Sequence, residues 1–128
     1  MRPQAHFWMN ITGVSAAQYP TDGAGAITAT QGSSAFATGG KWAGKTARVV
    51  GYEIYARDSS AATVLIKDHA ATATYKTIGV GTSTLSSNES DYKQLGLGGI
   101  VIPVGGLAVT PSHANVGITV YFDLETTP

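Results

Sequence analysis

The chain has 128 residues, eight Lys+Arg against eight Asp+Glu, a formal net charge of zero and no cysteine. That length is one domain's worth and can bury a core without staples, and the missing cysteine excludes disulfides, thiolate metal sites and cysteine nucleophiles. Charged residues are 12% of the chain, about half the usual share, and a neutral chain lacks the many cationic contacts that hold a nucleic-acid backbone.

Gly, Ala, Thr and Ser make up 60 of the 128 residues. So many small residues with so little charge suit short strands and tight turns, not a helical bundle or an acidic disordered tail. A surface this lightly charged is a solubility risk for a free monomer, so partner molecules or further copies of the chain are expected to cover much of it. No signal peptide is expected, because Pro3, Gln4, His6 and Asn10 interrupt any early apolar run. The uncharged stretch from Gln94 to Phe122 contains Pro103, Pro111 and several glycines, which argues against a membrane-spanning helix.

Residues 1–25 show neither helical nor strand spacing, and they read as an extended N-terminal arm ahead of a domain at 26–128. The arm holds Phe7, Trp8, Met9, Ile11 and Tyr19 among Pro3, Gly13, Pro20 and Gly23. Such an apolar cluster must be buried, either over its own domain or on a neighbouring molecule. The second option makes these five residues candidate interface anchors, dispensable for folding of the domain.

One or two short strands are expected within 26–38, then a turn over 39–46. Strand character becomes strong from Ala47 to Arg57, where Val50, Tyr52, Ile54 and Ala56 share one face by alternation and Val49, Glu53, Tyr55 and Arg57 the other. Asp58-Ser59-Ser60 breaks that run. Further strands are predicted over 63–67, 72–80, 92–97, 99–104 and 107–110, with a Ser/Thr-rich loop at 81–91. The last, 116–124, places Val116, Ile118, Val120, Phe122 and Leu124 on one face. Strands about ten residues apart, with turn signals between them, predict an all-β, jelly-roll-like antiparallel β-sandwich.

Gly39-Gly40-Lys41-Trp42-Ala43-Gly44-Lys45-Thr46 matches the phosphate-loop pattern G-x-x-x-x-G-K-[ST]. That loop works only where a helix follows it and presents backbone N–H groups to phosphate. Here a Val- and Tyr-rich strand pattern follows, so the match reads as a glycine-rich turn with Lys41, Lys45 and Arg48 on the surface. His6, His69 and His113 lie far apart without ligand spacing. Asp58, Asp68, Glu89 and Asp91 are turn or loop carboxylates, and no G-x-S-x-G elbow occurs. No cofactor or metal is expected. Tyr55, Tyr121 and Trp42 are candidates for a flat aromatic platform that would take a sugar.

The first long strand TARVVGYEIYARD, the run TVLIKD, the segment GGIVIPVGGLAV and the closing strand GITVYFD together resemble the jelly-roll head-decoration, or cement, proteins of tailed bacteriophages. The resemblance covers roughly Thr46 to Asp123. It implies a non-enzymatic virion structural protein on the capsid surface, a homotrimer whose partner is the major capsid protein, with no membrane or nucleic-acid contact. The alternative is a receptor- or carbohydrate-binding head of a phage tail fibre or spike.

Overall fold

A computed structural model describes residues 7–20, 26–28, 36, 39–57, 60–68, 70, 73–80, 91–94, 99–102 and 106–126. The elements are all strands: β1 (Phe7–Ile11), β2 (Ala26–Thr28), β3 (Lys45–Ala56), β4 (Ala62–Lys67), β5 (Thr74–Val80), β6 (Asp91–Gln94), β7 (Ile100–Val101), β8 (Ala108–Pro111) and β9 (Gly117–Thr126). Among the described residues there is no helix, and hence none long and apolar enough to cross a membrane.

The strands form two sheets. The larger runs β2-β1-β9-β3-β6, with β7 also on β3, and the smaller runs β5-β4-β8. Alternation explains the layering. Met9 and Ile11 from β1, Val49 and Ile54 from β3, and Ile118, Val120 and Phe122 from β9 point inward from the large sheet. Val64 and Ile66 from β4, Ile78 and Val80 from β5, and Val109 from β8 meet them in one core. The chain is therefore an all-β sandwich. Its sheets are antiparallel as expected, and among the described strands the short edge pairing of β1 with β2 is parallel.

The N-terminal segment differs most from expectation. Residues 7–11 are a strand flanked by β2 and β9, and Met9 and Ile11 are 0% and 1% exposed. Downstream, the Gly13 N–H donates to the Ala114 carbonyl at 3.1 Å, while Gln18 and Val109 exchange backbone hydrogen bonds of 2.8 and 2.7 Å. Since β1 belongs to the large sheet and Val109 to the small one, residues 7–20 strap the two layers together. Over these residues the extended arm is part of the domain. The missing period has a physical reason: Trp8 points outward between inward-facing Phe7 and Met9, so three consecutive apolar residues hide the alternation.

Two bulges on β3 also correct the reading of its faces. The register with β9 shifts between Val49 and Gly51 and again between Ile54 and Ala56. Each extra residue inverts the alternation. Val49 thus enters the core together with Tyr52 and Ile54, while Val50 is only half-buried.

Candidate functional site

Alternation that sends Met9, Val120 and Tyr52 inward sends their neighbours to the opposite side of the large sheet. On β1 these are Trp8 and Asn10, on β9 Thr119 and Tyr121, and on β3 Glu53. Register aligns them in rows: Trp8 is opposite Tyr121, and Asn10 is opposite Thr119, which is opposite Glu53. Gly51, the partner of Tyr121 on β3, adds no side chain. Trp8, Asn10, Glu53, Thr119 and Tyr121 line an open hollow of about 350 Å³.

Its polar groups are held in place. The Thr119 hydroxyl donates to Asn10 Oδ1 at 3.2 Å, and the Tyr121 hydroxyl reaches Glu53 Oε1 at 3.4 Å. Glu53 is only 8% exposed, while Trp8 at 38% and Val101 at 39% are the exposed large hydrophobics of the described residues. Val101 pairs with Arg48, whose partner on β9 is Asp123, two residues along from Tyr121. Trp8 and Val101 therefore belong to the same outer face.

The residues singled out from the sequence are distributed differently. Trp42, offered for a sugar platform, is 4% exposed and sits in an aromatic cluster inside the core. Its ring lies 5.0 Å from Phe7, 5.4 Å from Phe36 and 6.2 Å from Phe122. Tyr55 is half-buried, packs against Gly117 and donates its hydroxyl to the Ile11 carbonyl at 3.2 Å. Burial pushes its phenol above the ordinary 10.0, with a hydrogen bond to the Thr12 side chain pulling the other way. Tyr121 alone of the three lies on the outer face at the hollow. Of the five interface candidates, Phe7, Met9 and Ile11 pack into or against the core, Tyr19 is half-buried, and Trp8 is exposed. The outward direction of Trp8 was open to sequence reasoning only once its neighbours Phe7 and Met9 were known to face inward.

The phosphate-loop match at Gly39–Thr46 is built as consecutive turns. The Ala43 N–H donates to the Gly40 carbonyl at 3.2 Å and the Lys45 N–H to the Trp42 carbonyl at 3.1 Å, with Gly39 and Gly44 at φ of 85° and 80°. Strand β3 then starts at Lys45. Two amides that a phosphate would need are already spent, and no helix dipole follows. Lys41 and Lys45 are exposed and Arg48 half-buried, as a surface turn requires.

Asp68 is buried, and its carboxylate accepts the Ala73 N–H at 2.9 Å, closing the connection between β4 and β5. His113 is exposed in the turn before β9. His6, His69, Asp58 and Glu89 lie outside the described residues. Among the described residues no three His, Asp or Glu side chains gather as a metal site would require. Comparison with protein-family models, curated proteins and solved structures finds no match to this chain.

Proposed function

We propose that the chain is a non-enzymatic structural protein of a virion surface, a decoration protein that binds the assembled phage head and reinforces the joints between its major capsid subunits. Jelly-roll kinship and a homotrimeric state belong to this proposal. One observation carries it: Trp8 and Val101 lie on one face of the large sheet, the face turned away from the core. Exposed apolar side chains set among Glu53, Arg48 and Asp123 on one sheet face are suited to lie against another protein. Attachment then runs through this face, since Met9 and Ile11 are committed to the core.

The energetics need no chemistry. A standard interface of roughly 1,600 Å² holds a subunit by burial and complementarity, at about 25 cal/mol per Å² of apolar area before ordering costs. The test compares the survival of particles with and without the protein on heating or at low salt. Longer survival of coated particles supports the proposal, and equal survival contradicts it. Solution mass tests the trimer, expected at three times the 13.2 kDa of one chain.

A further inference from the structure

The geometry points to the hollow on the outer face of the large sheet as a binding site for a neutral pyranose sugar. Such a ring has an apolar C–H face and a rim of hydroxyls that both donate and accept. The hollow offers the counterpart of each. Trp8 exposes a large ring directly opposite Tyr121 in the register, an apolar wall that a flat ligand face would cover.

Glu53 lines the hollow although it is only 8% exposed, so its carboxylate is an acceptor fixed by the sheet. Asn10 Oδ1 is engaged by the Thr119 hydroxyl at 3.2 Å, which turns the amide nitrogen of this exposed residue into the group available to an incoming oxygen. Donor and acceptor therefore stand beside one aromatic wall. Gly51, across from Tyr121, adds no side chain to narrow the space. The volume of about 350 Å³ lies at the small end of ligand sites and suits a ring or two.

Charge narrows the ligand class. A phosphate or sugar acid would meet the Glu53 carboxylate and be repelled. A quaternary ammonium would use the aromatic rings and Glu53 but offers no oxygen to the Asn10 amide nitrogen. A neutral polyol uses all five residues. A sugar and a capsid would compete for the Trp8 face, and the titration below uses the free protein, so either reading can fail without the other.

The experiment titrates the full-length protein with glucose, galactose, mannose, N-acetylglucosamine and their disaccharides, with N-acetylneuraminic acid and choline as charged controls. Tryptophan emission and melting temperature are followed together. At least one neutral sugar is expected to shift the emission saturably and to raise the melting temperature by linkage. Trp8→Ala is expected to weaken binding at least about tenfold and Glu53→Gln about tenfold, as loss of a charge-assisted hydrogen bond would. Lys41→Ala, on the 41–44 turn, should leave it unchanged. Should Glu53→Gln fail to fold, the exposed Asn10→Ala takes its place with the same expectation. The inference is overturned if no neutral sugar acts up to about 50 mM, if Trp8→Ala responds like the parent, or if only choline or the acidic sugar binds.

Discussion

Trp8 stands directly opposite Tyr121 on the outer face of the large sheet, while Met9, the next residue, stands opposite Val120 in the core. One strand near the N-terminus thus serves both the fold and the surface, and the two tasks fall on adjacent residues. They are separable by substitution. Met9→Ala is expected to cost about 2–5 kcal/mol by leaving a cavity, and Trp8→Ala under about 1 kcal/mol. Urea unfolding of both variants checks this, and comparable losses would contradict it.

Deletion of residues 1–25 follows the same logic at larger scale. The strand lost is flanked by β2 and β9, and with it go the hydrogen bonds from Gly13 to Ala114 and between Gln18 and Val109. The truncated chain is expected to lose its cooperative melting transition. A truncated chain that stays soluble, β-rich and cooperative would show that the segment is the separable arm its sequence suggests.

The contrast between these two expectations shows which features were legible in the sequence. Strand β9 could be read directly, because Ile118, Val120 and Phe122 alternate with Thr119 and Tyr121 and only one face is apolar. β4 was legible for a related reason, as a short apolar run between turns. β1 was not, since Trp8 fills its outer face beside apolar inner neighbours. On β3 the alternation was visible but its phase was not, because a bulge is one extra residue without a sequence marker of its own. Trp42 sits in a turn between the exposed Lys41 and Ala43, neighbours that give no sign of burial, yet its ring closes a core cluster with Phe7 and Phe122. The hollow stayed hidden because its residues come from three strands far apart in the chain, and only register aligns them.

Gly117 is expected to resist substitution. A Cβ there would come within 2.5 Å of the Tyr55 ring, whose hydroxyl is held by the Ile11 carbonyl. Gly117→Ala should cost about 1–3 kcal/mol through overpacking, and adding Tyr55→Ala should make the two effects non-additive by at least about 0.5 kcal/mol. A double-mutant cycle in urea measures this. Simple additivity would mean that the ring moves aside freely.

Tyr55 also sets an alkaline limit. Its phenol is raised above 10.0 by burial, so the folded state holds this proton more tightly than the unfolded chain does. Stability from this group is fully present below pH 10 and is lost as pH rises from there through the folded value. Denaturation midpoints measured from pH 8 upward should fall more steeply for the parent than for Tyr55→Phe. Parallel profiles would rule out this contribution.

At the Gly39–Thr46 turn, Mg-ATP is expected to give no saturable heat in calorimetry, in the parent or in Lys45→Ala. Binding that is present in the parent and absent in the variant would restore the phosphate-loop reading, against the turn hydrogen bonds of Ala43 and Lys45.

The outer face of the large sheet as the working surface is tested most directly by sedimenting capsids that lack their decoration layer with the parent protein and with Trp8→Asp. The parent should pellet with the particles, and Trp8→Asp should bind at least about tenfold more weakly while melting like the parent, because a charge set into an apolar interface must be desolvated. Undiminished binding of Trp8→Asp, or no binding of the parent, would contradict the account.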